Sequence, residues 1–137
     1  SNGGAACLAS FGGTIPEAVL AWCESLPVKY ETEHHFFVHA GINPLRDLSD
    51  QNPDEMLWIR YKFLMSEIDY GKHIIHGHTP AEEPELMPNR TNLDTGAFYT
   101  GRLTAARFDL TKRGGPASVF HATPAAISRD AKTIERR

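Results

Sequence analysis

A chain of 137 residues has room for one hydrophobic core but not for two. Its 41% apolar and 23% charged residues exclude a disordered chain and a membrane-embedded one. A formal net charge of −3 sets up no field that would gather nucleic acid or an anionic bilayer, so neither is expected as a partner.

Thr14-Ile15-Pro16-Glu17 has the form of a capping box, and Ile15, Val19, Trp22, Cys23 and Leu26 follow at helical spacing until Pro27. His34-His35-Phe36-Phe37-Val38-His39 is β-prone and breaks at Ala40-Gly41 and Asn43-Pro44, which predicts a buried strand running into a loop. Asn52-Pro53-Asp54-Glu55 starts a second helix, with acidic residues in its first turn and an apolar run from Met56 to Leu64. The strand-to-loop pattern recurs at Lys72-His73-Ile74-Ile75-His76, broken at Gly77 and closed by Pro80.

Asn92-Leu93-Asp94 and Arg102 to Leu110 predict two further strands, joined through Gly96 and Gly101, and Ser118 to His121 a possible last one. Helices and strands mix, which gives an α/β or α+β class. Lys112 to Pro116 and Ala122 to Arg137 have the composition of linker and tail, and the basic stretch Arg129 to Arg137 is expected to be solvated. Only Cys7 and Cys23 occur, without CxxC spacing, so neither a disulfide framework nor a thiolate metal site is indicated and a reducing cytoplasm fits. No export leader and no apolar run of about 20 residues is visible. The chain begins with Ser1 rather than Met, so its start is expected to fall inside a domain.

Two histidines, His39 and His78, stand on loops directly after strands, where the strand fixes the loop and an imidazole nitrogen stays open to a cleft. A lone histidine is more often a satisfied core or surface group; two in matching contexts make metal ligation an equal contender. Two imidazoles would leave a metal incompletely coordinated, so further ligands must come from elsewhere. Arg60, within the predicted second helix, is either an ordinary surface arginine or a guanidinium fork for phosphate. His34, His35, His73 and His121 are assigned to structural or surface roles, and Asp94 to turn formation ahead of ligation.

In this order the segments resemble the second half of the phosphoprotein phosphatase branch of the calcineurin-like metallophosphoesterases. Asn2-Gly3-Gly4, Phe37-Val38-His39-Ala40-Gly41 and Leu57-Trp58-Ile59-Arg60 carry the first part of the likeness. His76-Gly77-His78-Thr79-Pro80, Asn92-Leu93-Asp94-Thr95-Gly96-Ala97 and Gly101-Arg102-Leu103-Thr104-Ala105 carry the rest. It covers about residues 1–110, the C-terminal half of such a domain, and leaves 111–137 as an extension or tail.

The resemblance implies part of a two-sheet α/β sandwich flanked by helices, and a site of two divalent metal ions, manganese above iron or zinc. It implies that His39 and His78 coordinate one of the two metals and that Arg60 grips substrate phosphate. The family's Gly-Asp-x-His-Gly, Gly-Asp-x-x-Asp-Arg-Gly and Gly-Asn-His-Glu segments have no counterpart here, and the resemblance implies that they lie before Ser1. They would supply the remaining ligands and the proton donor, so the chain alone is expected to be inactive and to pair with that missing half. The implied substrate is a phosphorylated protein, as in a serine/threonine phosphatase, or a small phosphoester such as a dinucleoside polyphosphate. The alternatives are a non-catalytic binding or interaction module built on half of the fold and a simple histidine-based metal-binding protein.

Overall fold

The structure is a computed structural model and describes residues 3–123. Asn2 of the Asn-Gly-Gly segment and the basic stretch from Arg129 to Arg137 lie outside the described residues.

Strands β1 (Lys29–Glu31), β2 (His35–Val38), β3 (His73–His76), β4 (Glu85–Leu86) and β5 (Arg90–Asn92) form one mixed sheet in the order β1-β2-β3-β5-β4. The three inner strands are parallel, with Phe36 beside Ile74 and Ile74 beside Arg90, while β1 and β4 close the edges antiparallel. Successive side chains alternate between faces, so this register puts Phe36 and Ile74 on one face and His35 and His73 on the other.

Helices α3 (Pro53–Trp58) and α4 (Tyr61–Leu64) cover the first face. Met56 and Phe63 join Phe36, Ile42 and Ile74 in the core. Each such side chain taken from water contributes about 1.5–3 kcal/mol. Gly41 makes this closure possible: at φ 150° it sits where an added Cβ would lie 2.2 Å from the Phe63 ring.

The second sheet is a hairpin of β6 (Leu103–Arg107) and β7 (Ser118–Ala122), so the strand expected at Ser118 to His121 is present. Its connection, including Lys112 to Pro116, crosses the histidine face of the first sheet. Phe108 packs edge-on against His35 and Phe37, with ring centroids 5.5 and 5.9 Å away. Nε2 of His35 is 3.1 Å from the Gly114 carbonyl. Arg113 holds both oxygens of Asp69 at 2.8 and 2.9 Å.

The architecture is α/β, and it is consistent with part of the two-sheet fold implied by the resemblance. No helix among the described residues is long and apolar enough to cross a membrane.

Several local expectations are corrected. The capping box does not form: α2 (Glu17–Ser25) starts after Pro16, and no side chain caps it. Neither α1 (Gly4–Ser10) nor α2 buries a residue, so the apolar stripe of α2 is uncovered, with Trp22 61% exposed. The single helix expected through Leu64 is two, because Ile59 turns extended at ψ 144° and breaks the ladder before Arg60. The strand expected at Asn92 to Asp94 ends at Asn92, and the link from Gly96 to Gly101 is one helical turn, α5 (Ala97–Thr100).

Candidate functional site

The carboxyl ends of β2, β3 and β5 meet at one edge of the sheet, the edge where open parallel sheets present ligand sites. They deliver His39, Gly77-His78 and Asp94 respectively. Backbone bonds lock the three loops together, from Gly77 N–H to the His39 carbonyl at 2.8 Å and from Leu93 N–H to the His76 carbonyl at 3.0 Å. His39, His78 and Asp94 line one pocket of about 310 Å³, walled by Leu93, Ala97 and Leu103.

Nε2 of His39 and Nδ1 of His78 lie 3.0 Å apart, so the two rings share a hydrogen bond in which one nitrogen donates and the other accepts. His78 adopts φ 66°, the only positive φ at a non-glycine residue among the described residues, and the tight turn after Gly77 requires it. Nε2 of His78 is buried without a partner. The pKa of His78 is lowered by burial first, then by the Arg60 guanidinium and by His39, with Asp94 opposing. At neutral pH the ring is therefore uncharged and offers a lone pair, the state a metal or a proton donor requires. His76, beneath the pocket, is pushed by burial down to about 4 and is a neutral packing group against the edge of Phe63.

Arg60 lies in the break between α3 and α4 rather than inside a helix, and its Nη1 is 3.4 Å from Thr79 Oγ1. The break carries its guanidinium over the loop that bears His78. Trp58, two residues earlier, sets its ring edge-on to His78 at 5.6 Å. Arg60, His39 and His78 are thus brought to one place, an arrangement able to receive an anionic group beside two imidazoles.

Asp94 forms a turn, its Oδ1 accepting the Gly96 N–H at 2.9 Å, and it also lines the pocket. His35 and His73 are buried and His121 is exposed, in line with the structural or surface roles assigned to them. Sequence reasoning missed Asn92, Thr79 and Trp58. Nothing in Arg90-Thr91-Asn92 signals burial; the strand is buried because it lies between β3 and β4 in the sheet.

Partial similarity to known proteins supports the calcineurin-like metallophosphoesterase superfamily over part of the chain. The similar proteins are bis(5'-nucleosyl)-tetraphosphatases (asymmetrical) named PrpE. That of Anoxybacillus flavithermus is 44% identical over 46 residues, covering 29% of this chain and 19% of the relative. That of Bacillus thuringiensis is 51% identical over 35 residues, covering 26% and 14%. That of Geobacillus thermodenitrificans is 41% identical over 49 residues, covering 35% and 20%. The matched stretch therefore spans a fifth or less of these relatives' length. No protein-family model matches the chain, and no solved structure matches it.

Proposed function

We propose that the chain is part of a metal-dependent phosphoesterase in which His39 and His78 coordinate one divalent ion and Arg60 binds substrate phosphate. The observation that carries this is the convergence of the two imidazoles, 3.0 Å apart, beneath the Arg60 loop at the carboxyl edge of the sheet. The converging nitrogens, Nε2 of His39 and Nδ1 of His78, are a suitable pair of donor atoms for one ion. Among the described residues no group of three or more His, Cys, Asp or Glu side chains is placed to hold an ion, so the ligand set is completed from a longer protein. Manganese, iron and zinc all accept such ligands, and a pair of these ions would polarise the phosphoryl oxygens.

The substrate class favoured is a nucleoside polyphosphate, since the similar proteins are named as tetraphosphatases of that kind. A serine/threonine phosphoprotein is the second reading, supported by the order of the sequence segments. Both cysteines are free thiols, which supports a cytoplasmic setting.

The test is metal content and steady-state kinetics of His39→Ala, His78→Ala and Arg60→Ala side by side in the longer protein. The histidine variants should lose metal and activity together, with partial rescue by excess manganese. Arg60→Ala should keep its metal and lose about 100-fold in kcat/KM. Full metal and full activity in both histidine variants would refute the assignment.

A further inference from the structure

We propose that Phe98 is a stacking platform for the base of a nucleotide whose phosphates enter the His39–His78 pocket. This rests on the phosphoesterase reading and adds a residue that selects nucleoside phosphates over other phosphoesters.

The helical turn α5 is a rigid mount. Gly96 and Gly101 bound it at φ 64° and 70°, left-handed positions that let the chain enter and leave a single turn. Thr100 Oγ1 lies 3.0 and 3.1 Å from the carbonyls of Thr95 and Gly96. The buried Thr95 hydroxyl is bonded to the Arg102 carbonyl at 2.9 Å and to Thr104 Oγ1 at 2.7 Å. The turn is thus tied at both ends to the start of β6.

On this mount Ala97 forms part of the pocket wall, and the next residue, Phe98, stands 90% exposed. Its ring meets Tyr99 edge-on, with centroids 4.7 Å apart. Tyr99 itself lies over Gly96, where an added Cβ would lie 2.3 Å from its ring. A phenylalanine left in water forgoes about 1.5–3 kcal/mol of burial. Here the turn leaves that ring exposed on the residue next to Ala97, which lines the pocket, instead of folding it inward.

His39, His78 and Asp94 give the pocket a polar lining, and Leu93, Ala97 and Leu103 an apolar one. Such a lining, with an exposed aromatic ring on the residue after Ala97, suits a ligand that carries both an anion and a flat aromatic ring. A phosphorylated serine offers no such ring, whereas every nucleotide does.

The experiment is calorimetric binding of diadenosine tetraphosphate and of inorganic tripolyphosphate to the longer protein, in wild type, Phe98→Ala, Phe98→Trp and Arg60→Ala. Phe98→Ala should weaken the nucleotide about tenfold and leave tripolyphosphate unchanged, and Phe98→Trp should restore the nucleotide. In turnover, KM for the nucleotide should rise in Phe98→Ala with kcat unchanged.

Unchanged nucleotide affinity in Phe98→Ala, or equal losses for both ligands, overturns the platform. A fall in melting temperature at unchanged nucleotide affinity overturns it too, and assigns Phe98 to packing against another segment of the longer protein. If Arg60→Ala leaves both affinities intact, or neither probe binds wild type, the phosphoesterase reading fails first and the platform with it.

Discussion

The side-chain amide of Asn92 donates to the Thr79 carbonyl at 2.9 Å and to Glu85 Oε2 at 3.0 Å, while its oxygen accepts the Asp94 N–H at 3.0 Å. One buried side chain therefore ties the loop bearing His78 to the loop bearing Asp94. Asn92→Ala leaves buried donors and acceptors unpaired and should cost about 2–4 kcal/mol in chemical denaturation. Hydrogen exchange should quicken first at the amides of Gly77 and Asp94; uniform protection across both loops would show that Asn92 does not tie them.

Acid should weaken the fold through His73. The ring is buried, 2.8 Å from Thr91 Oγ1, and burial and then the neighbouring His35 lower its pKa, with Arg113 adding and the Pro88 carbonyl opposing. Arg113 is itself paired with Asp69. A histidine whose folded pKa lies below its unfolded value of about 6.5 binds fewer protons in the native state. Its contribution is present above that value and is lost as pH falls towards the folded pKa. The urea midpoint should therefore drop between pH 7 and 5, and less so in His73→Phe; parallel curves for the two proteins would contradict this. The lowered carboxylates Glu31, Asp69 and Asp109 act at lower pH, whereas His76 and His78, also lowered, add to the loss in the same window and leave a remaining drop in His73→Phe.

Two glycines with positive φ should respond differently to alanine. At Gly41 the new Cβ meets the fully buried Phe63 ring at 2.2 Å, and nothing nearby can yield; the cost should be about 2–4 kcal/mol. At Gly96 the obstruction is Tyr99, whose ring is 62% exposed and can swing out, so the cost should be about 1–2 kcal/mol of backbone strain. Thermal melts of the two variants should rank in that order.

Zinc or manganese titrated into the chain by calorimetry should give weak binding, because two imidazoles alone make an open and under-charged site. His78→Ala should abolish what binding there is. A tight one-to-one isotherm would favour the metal-binding protein over the phosphoesterase.

Leu8, Phe11, Leu20 and Trp22 leave a large apolar area in water on α1 and α2. Sedimentation of the chain should show concentration-dependent association, and Trp22→Ser should reduce it. A monomer at every concentration would count against this surface as an interface.

The elements legible in the sequence were those whose pattern is local. His34 to His39 and Lys72 to His76 announce themselves by β-branched and aromatic residues ended at glycine, and their ends placed His39 and His78 correctly after strands. Arg90 to Asn92 was placed two residues late, because its polar side chains are buried only by β3 on one side and β4 on the other, a fact of pairing rather than of composition. The break at Ile59 was invisible for the opposite reason: Met56 to Leu64 is apolar throughout, and the core takes Met56 and Phe63 from two separate turns. The hydrogen bonds of Asn92 and the stand-off of Phe98 depend on residues distant in sequence, so no local signal could reveal them.

The central position of β3 also dictates an order of assembly. During synthesis β1 and β2 can pair at once as a local hairpin, but both parallel partnerships await β3, and His39 and His78 are 39 residues apart along the chain. Until β3 docks, the Phe36 face is half-built and the emerging chain must hold it out of water by other means. The two imidazoles thus come together in the same late event that completes the core. A substitution that slows docking of β3 therefore delays the whole site at once instead of yielding a folded protein with half of it.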